Sequence, residues 1–227
     1  MEEHLLIDNL SIDCVIFGFD NEQLKALFIK RNTEPCKGMM SLPGGFVYVN
    51  EDLIDVPARR LQDLTGIKDV FLREVGVFGN KDRYPERRVI TIAYYALVNI
   101  SDYSLQIGED AQDVRWIAVD EIPELPFDHY EIFNAALVKL RKHVRYEPIG
   151  YNLLPKKFTI TQLQTLYECI LNKKIDNRNF RKKLAKIGIL TDVKEKQKNV
   201  SHRAATLYSF NKKKYEKLLD KGYTFDF

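Results

Sequence analysis

The sequence contains no apolar run that approaches the ~18 residues needed by a membrane-spanning helix. Charged residues make up 30% of its 227 residues and hydrophobic residues 45%, which is typical of a globular protein. The first four residues, MEEH, are acidic, whereas a secretory signal peptide begins with basic and then apolar residues. We therefore expect a cytoplasmic protein without a membrane partner.

Cysteine is also scarce. Cys14, Cys36 and Cys169 are odd in number, far apart in the chain and in no C-x-x-C arrangement. This pattern argues against a disulfide framework and a zinc site, and it is typical of a reducing compartment. The sequence accordingly predicts no metal and no cofactor.

Charge is unevenly distributed along the chain. Residues 150–227 contain 18 lysines and arginines against 7 aspartates and glutamates, a net charge of +11, and the rest of the chain has a net charge of −8. A basic block joined to an acidic one indicates a polyanionic partner. On charge alone, a lysine-rich solvated surface is an equal alternative.

The first part of the chain alternates strand and helix patterns. Residues 11–19 and 23–30 have β-type sequences with a turn between them, which predicts a hairpin. Residues 53–65 have a helical pattern that ends at Gly66, and Pro57, near the middle, is expected to distort the first turns. Further patterns predict extended chain at residues 41–49, 70–80, 88–99 and 114–119 and a second helix at 130–143. Strands interleaved with two helices predict an α/β sandwich domain over residues 1–146.

The second part of the chain has shorter elements. Pro148, Gly150 and Pro155 interrupt the periodicity where the charge changes sign, which predicts a second domain over residues 147–227. Its helices are predicted at residues 161–171, 177–187 and 215–219, with strands at 190–193 and 205–210. Two helices followed by a two-stranded wing indicate a winged helix-turn-helix domain.

The helix at residues 177–187 has two chemically different faces. Phe180, Leu184 and Ile187 form its apolar face, and Asp176 is the expected N-cap. Arg178, Arg181 and Lys182 share another face, because residues three and four apart are neighbours on a helix. In a helix-turn-helix unit this helix enters the major groove, where arginine can recognise guanine and asparagine can recognise adenine.

Lysines outside this helix suit phosphate contacts, which position a protein on DNA without reading sequence. A basic loop between the wing strands could follow the DNA backbone or enter the minor groove. The predicted DNA-binding residues are Lys156, Lys157, Asn177, Arg178, Asn179, Arg181, Lys182, Lys194, Lys196, Lys198, Ser201, His202 and Arg203.

The segment GFVYVNEDLIDVPARRLQDLTGI, residues 45–67, resembles the Nudix motif G-x5-E-x7-R-E-U-x-E-E-x-G-U, in which U is bulky and apolar. The positions that match are Gly45, Glu51, Arg59, Leu61, Gly66 and Ile67. The preceding LPGG is also typical of that family. The resemblance implies a Nudix-type α/β/α sandwich.

The departures from this motif concern its catalytic carboxylates. Arg60 follows Arg59 where the family has the glutamate of the R-E pair, and Asp63 and Leu64 stand where it has paired glutamates. Those glutamates bind Mg²⁺ or Mn²⁺ in the family, and hard cations need several oxygen ligands. Glu51 and Asp63 remain, so weak metal binding stays open, but we expect a degenerate Nudix box without catalytic residues.

A Nudix-like domain followed by a basic winged helix resembles the Nudix-related transcriptional regulators (NrtR-like). The segments EPIGYNLLPKKFTITQLQTLYECI, DNRNFRKKL and RAATLYSFN are similar to that family's linker, helix pair and wing. The resemblance implies a homodimer that binds operator DNA, represses transcription and senses a small effector. The arabinose-responsive (AraR-type) branch is the most similar, which predicts a sugar effector such as L-arabinose and a role in carbohydrate metabolism. An ADP-ribose-responsive regulator of NAD metabolism is the alternative.

The sequence specifies the effector site less well than the DNA-binding site. Candidates beside the former substrate cleft are Arg31, Phe78, Asp82, Arg83 and Arg88. They include carboxylate and aromatic groups suited to a sugar and arginines suited to a pyrophosphate, so they do not decide between the effectors. The Asp128-His129 pair is interpreted as a surface helix start rather than a proton relay.

Two other functions remain open. One is an active Nudix pyrophosphohydrolase with a nucleic-acid-binding tail, which the residues at positions 60 and 64 argue against. The other is a non-enzymatic scaffold that binds nucleic acid without sequence preference.

Overall fold

The computed structural model of the protein describes residues 6–68, 70–147, 149–198 and 203–220. The chain divides into two compact units, the first formed by Met1–Gly18 and Lys25–Lys139 and the second by Phe19–Leu24 and Leu140–Phe227. The predicted domain boundary between residues 146 and 147 stays a prediction. Among the described residues, no helix is long and apolar enough to cross a membrane.

The first unit is built around a seven-stranded sheet. Its strands are β1 (Leu6–Phe19), β2 (Leu24–Arg31), β3 (Met40–Ser41), β4 (Gly44–Tyr48), β5 (Arg73–Phe78), β6 (Ile90–Asn99) and β7 (Ala111–Ala118). The strand order is β3-β2-β1-β6-β5, while β4 pairs with β1 and β7 pairs with β2. The predicted hairpin of β1 and β2 is therefore present.

Helices cover both faces of this sheet, because β1 is apolar on both sides. Ile12, Cys14 and Ile16 pack with α1 (Val56–Thr65) in one buried cluster. On the other side, the ring of Phe133 in α2 (His129–Tyr146) lies 5.9 Å from that of Phe17. The arrangement confirms the predicted α/β/α sandwich.

Helix α1 differs from its prediction at the N-terminal end. It begins at Val56 rather than at residue 53, with Asp55 as N-cap and Pro57 within its first two positions. Proline is tolerated there because the first amides of a helix have no intrahelical acceptor. The expected distortion by Pro57 was therefore wrong, whereas the predicted stop at Gly66 is confirmed by its left-handed φ of 77°.

The second unit has the order of elements of a winged helix. It contains α3 (Ile160–Leu171), α4 (Asn177–Ile187), β8 (Leu190–Lys196), β9 (Thr206–Phe210) and α5 (Lys212–Leu219). Phe158 bridges to Tyr208 and adds a third, very short strand to the wing. Strand β8 is three residues longer than predicted, so Lys194 and Lys196 lie on a strand and not in the loop.

Candidate effector cleft and nucleic-acid interface

The glycines at the start of β4 allow a close approach between the sheet and α1. A Cβ atom on Gly44 would collide with the Asp13 carboxylate and the Ile12 carbonyl. A Cβ atom on Gly45 would collide with the Arg60 guanidinium. The LPGG segment therefore brings the backbone of β4 against β1 and against Arg60.

Arg59 binds the two remaining carboxylates of the Nudix segment. Its Nε and Nη2 donate to Glu51 at 2.6 Å each, and its Nη1 donates to Asp63 at 3.2 Å. Glu51 also accepts a 2.6 Å bond from the Tyr48 amide. Partial burial alone would raise the pKa of Glu51, but the bonds from Arg59 and Tyr48 outweigh it and hold the pKa below its usual value.

Arg60 lies inside the cleft, at the position where the family has a metal-binding glutamate. Its Nε and Nη2 donate to the Gly44 carbonyl at 3.2 and 3.0 Å, and its Nη2 is 3.2 Å from Asp110. Leu64, in the place of another glutamate, is buried in the core cluster. A cation and an apolar side chain thus occupy two of the metal-ligand positions.

These residues do not fit the divalent metal that a Nudix fold implies. Among residues 6–68, 70–147, 149–198 and 203–220, no three His, Cys, Asp or Glu side chains are grouped so that they could hold an ion. Glu51 and Asp63 are both bonded to Arg59, and the Arg60 charge repels a cation.

Two adjoining cavities lie beside Arg60. The larger has a volume of about 400 Å³, and the smaller has a volume of about 80 Å³. Both are lined by Ile29, Arg31, Gly44, Gly45 and Phe46. We call the two together the effector cleft. Arg60, Tyr48 and Asp110 line only its larger part.

The smaller part of the cleft has a buried polar floor, of which the sequence predicted only Arg83. Arg83 binds Asp128 through two bonds of 2.6 and 2.8 Å and lies 3.6 Å from Asp13. His129 Nε2 is 3.6 Å from Asp13, and His129 Nδ1 accepts a 3.1 Å bond from the Leu42 amide. His129 is therefore buried, and its interpretation as a surface residue was wrong.

Burial sets the protonation of this floor. Burial, with a contribution from the Asp128 charge, raises the pKa of Asp13 to about 7 against the opposing charges of Arg83 and Arg31. Asp128 already pairs with Arg83, so the Arg83 charge offsets only part of this rise in the pKa of Asp13. Burial, assisted by the same two arginines, lowers the pKa of His129 to about 3, so this imidazole is neutral at physiological pH.

Aromatic rings border the same cleft. The Tyr84 ring lies 6.2 Å from Phe46 and 5.1 Å from Phe127. The Arg31 guanidinium is 5.3 Å from the centre of the Phe127 ring and donates to the Pro35 carbonyl at 3.0 Å. Flat rings beside arginines are suited to a ligand that combines an aromatic base with phosphate groups.

The exposed face of α4 has the composition predicted for a DNA-reading helix. Asp176 caps the helix through a 2.8 Å bond from the Asn179 amide, and Phe180, Leu184 and Ile187 are buried. The polar side chains that this packing leaves exposed are Asn177, Arg178, Asn179, Arg181 and Lys182. Arg181 Nε donates to Asn177 Oδ1 at 2.7 Å, which orients both side chains at the surface.

Sequence comparison assigns both parts of the chain to known families. Residues 9–136 match the NUDIX domain family, and residues 150–210 match the family described as the NrtR DNA-binding winged helix domain. The chain is 32% identical to the ADPR responsive transcriptional repressor NtrR of Acinetobacter baylyi, over 91% of this chain and 84% of that protein. The chain belongs to the NrtR family of Nudix-related transcriptional regulators.

Solved structures of this family agree with the fold. The complex of Shewanella oneidensis NrtR with a 27mer DNA superposes with a TM-score of 0.77 and 27% identity, over 95% of this chain and 97% of that one. The NUDIX domain of the same protein complexed with ADP ribose gives a TM-score of 0.53 and 27% identity, over 62% of this chain and 90% of that one.

The comparisons favour the ADP-ribose alternative over the sugar reading. The relative from A. baylyi is named for its response to ADPR, and the S. oneidensis domain was crystallised with ADP ribose. The assignment to the arabinose-responsive branch and to carbohydrate metabolism has no support from them.

The predicted effector residues fall into two groups. Arg31 and Arg83 line the effector cleft. Phe78, Asp82 and Arg88 are not among its lining residues, and Asp82 and Arg88 are exposed on the surface. The chain also places Asp13, Phe46, Tyr84 and His129 in the cleft lining; their spacing in the sequence carries no local signal for it.

Among the predicted DNA contacts outside α4, Lys157 is already paired. Its Nζ lies 2.7 and 2.8 Å from the Glu195 oxygens on β8. The other described side chains of this group are exposed: Lys156, Lys194, Lys196, Lys198 and Arg203. Ser201 and His202 lie outside the described residues.

Proposed function

We propose that this protein is a sequence-specific DNA-binding repressor whose Nudix domain binds ADP-ribose without hydrolysing it. Its membership in the NrtR family supports the regulatory role. One observation carries the proposal: the same chain combines an exposed basic face on α4 with Arg60, an arginine in a metal-ligand position of its Nudix segment.

The DNA-binding part of the proposal rests on α4 and the wing. Arg181 and Asn177 are exposed and mutually oriented, so both are available to base edges. Lys156, Lys194, Lys196, Lys198 and Arg203 are available to phosphates, whereas Lys157 would first have to leave Glu195. The proposed readout residues are Asn177, Arg178, Asn179, Arg181 and Lys182.

Arg181→Ala tests the readout. We expect a loss on the order of 1–3 kcal/mol in operator affinity and relaxed preference at one base pair, if the contact is bidentate. Fluorescence anisotropy on operator and random duplexes measures both quantities. Arg115→Ala, an exposed arginine on β7, is the matched control and should bind like the unmodified protein. Unchanged operator affinity in Arg181→Ala would remove this residue from the readout.

The effector part rests on the cleft. Its volume of about 400 Å³ lies within the range of small-molecule sites. Arg31 and Arg60 suit a diphosphate, and Phe46, Tyr84 and Phe127 offer ring surfaces. A neutral pentose would leave the Arg31 and Arg60 charges without an anionic partner from the ligand.

Adding ADP-ribose or L-arabinose to the protein–operator complex distinguishes the effectors. We expect ADP-ribose to change the operator affinity and L-arabinose to leave it unchanged, because a ligand shifts an equilibrium only through its differential affinity for the two states. A lower operator affinity would mean that ADP-ribose releases the protein from DNA, and a higher affinity would mean that it promotes DNA binding. A response to L-arabinose alone would reverse the assignment.

The absence of hydrolysis is part of the proposal, since Arg60 and Leu64 supply no oxygen ligands. Release of phosphate from ADP-ribose in the presence of Mg²⁺ and a phosphatase measures turnover of the pyrophosphate bond. Clear turnover would favour the pyrophosphohydrolase with a nucleic-acid-binding tail.

We further propose a homodimer that acts on operator DNA in the cytoplasm. Helix-turn-helix proteins contact two half-sites about one helical turn apart, which requires two recognition helices. Light scattering gives the number of protein chains in the free protein and in the operator complex. A single chain in both would exclude the dimer.

A further inference from the structure

The departure at position 60 places a cation where Nudix enzymes hold a metal ion. The side chain of Arg60 is only 14% exposed, so its charge lies inside the cleft rather than in bulk water. The larger cavity is lined by two arginines, Arg31 and Arg60, and by one acidic residue, Asp110, a net charge of +1. The cleft is therefore cationic without any bound ion.

Hydrogen bonds hold the guanidinium of Arg60 in a fixed orientation. Nε and Nη2 bond to the Gly44 carbonyl, and Nη2 also bonds to Asp110. Within the described part of the chain, no hydrogen bond involves Nη1, so its two hydrogens remain available to a ligand. A guanidinium fixed in this way can bind a phosphate with little loss of side-chain entropy.

The carboxylates near Arg60 have partners of their own. Arg59 binds Glu51 with two bonds and Asp63 with a third, so the oxygens that would otherwise draw a divalent ion already have a cationic partner. The segment has therefore exchanged a metal bound by carboxylates for two guanidinium groups. Arg59 pairs with the remaining carboxylates, and Arg60 lines the cavity.

We propose that Arg60 is a built-in substitute for the Nudix metal: its guanidinium binds the diphosphate of the effector directly, and effector binding is independent of divalent cations. The inference rests on the proposed function, because it takes ADP-ribose as the effector. It assigns a role to a residue that the Nudix motif reserves for a carboxylate.

Calorimetric titration of the full-length protein with ADP-ribose, in EDTA and in excess Mg²⁺, tests this proposal. We expect the same affinity in both buffers. Arg60→Gln should weaken binding by roughly tenfold or more in both buffers, because a charge-assisted bond is lost. Arg60→Lys keeps the positive charge but lacks the planar guanidinium. Its affinity for ADP-ribose should lie between those of the unmodified protein and Arg60→Gln.

Arg115→Gln is the matched control, since Arg115 is an exposed arginine of the same unit that does not line the cleft. It should bind ADP-ribose like the unmodified protein. Urea unfolding followed by the fluorescence of Trp116, which lies in the same unit as Arg60, reports whether Arg60→Gln is folded. If that variant is unfolded, the comparison of EDTA with Mg²⁺ on the unmodified protein still decides.

Two results would overturn the inference while leaving the proposed function intact. One is ADP-ribose binding that requires Mg²⁺, and the other is a folded Arg60→Gln variant with unchanged affinity. If ADP-ribose binds neither in EDTA nor in Mg²⁺, both the proposed effector and this inference are wrong.

Discussion

At the scale of single residues, the unusual chemistry of this protein lies in arginines that are buried or half-buried and paired with acidic side chains. Arg59 and Arg83 each hold two carboxylates, and Arg60 holds a carbonyl and a carboxylate. Breaking the buried pair of Arg83 and Asp128 would leave an uncompensated charge at low dielectric, which costs more free energy than the pair contributes. These arginines therefore fix the geometry of the cleft.

Asp13 gives the stability of the first unit a predictable dependence on pH. Its pKa is raised to about 7 in the folded chain, so its stabilising contribution is complete below its ordinary pKa and is lost as the pH rises towards 7. The pKa of His129 is lowered to about 3, so its contribution is present above its ordinary pKa and is lost as the pH falls towards 3. Between pH ~4 and ~6.5 the two slopes oppose each other.

Asp13→Asn removes the first of these slopes. We expect the variant to gain stability relative to the unmodified protein as the pH is raised from about 5 to about 8, by on the order of a few kcal/mol. Urea unfolding followed by the fluorescence of Trp116 measures the free energy of unfolding. Asp82→Asn, at an exposed position, should show no such change. If the difference in free energy of unfolding between Asp13→Asn and the unmodified protein stays constant or shrinks as the pH rises, Asp13 is ionised in the folded chain.

At the scale of elements, caps and glycines define where the helices begin and end. Helix α3 begins with a capping box: Thr159 accepts a 3.1 Å bond from the Gln162 amide, and the Gln162 side chain accepts a 2.8 Å bond from the Thr159 amide. Helix α4 is fixed by Asp176 and Gly188. The sequence predicted Asp176 as the N-cap of α4, because a cap depends on neighbouring residues only.

Thr159→Ala should destabilise the start of α3 by about 1 kcal/mol, because it leaves a helix amide without its acceptor. Thr159→Ser keeps the hydroxyl group and should recover most of the loss. Hydrogen exchange of the α3 amides, measured by mass spectrometry, reports this element separately from the first unit. Equal protection in the alanine and serine variants would mean that the cap contributes nothing here.

At the scale of the whole molecule, charge is separated between residues 150–227, with a net charge of +11, and the rest of the chain, with a net charge of −8. Lysine contacts to phosphate release counterions, so the affinity falls as salt concentration rises. Repulsion between the acidic part of the chain and DNA acts in the opposite direction to this attraction. The net charge of +3 is the sum of the two parts, so by itself it indicates neither the attraction nor the repulsion.

Lys196→Ala should weaken operator and random DNA alike and reduce the slope of log affinity against log salt by about 1. The reason is that Lys196 is exposed on β8, where it suits a phosphate rather than a base. Anisotropy titrations over a range of salt concentrations measure the slope. Lys81→Ala, an exposed lysine of the first unit, should leave the slope unchanged. A loss confined to operator DNA would contradict the phosphate role.

The sequence alone determined the parts of this protein that depend on residues close together in the chain. The periods of apolar residues predicted both architectures. Gly66 predicted the end of α1, and Asp176 predicted the start of α4. The Nudix spacing identified the altered positions at Arg60 and Leu64. The error at Pro57 arose because a local pattern gives the helix interior more reliably than its first turn.

Only the tertiary structure decided the contacts between residues that are distant in the chain. Asp13, Arg83 and the neighbours Asp128 and His129 come from three separate stretches of the chain, yet packing buries them together under the cleft. Lys157 pairs with Glu195 across 38 residues for the same reason. A periodic pattern records which face of an element is buried, but the partner that this face meets is chosen by the packing of the whole unit.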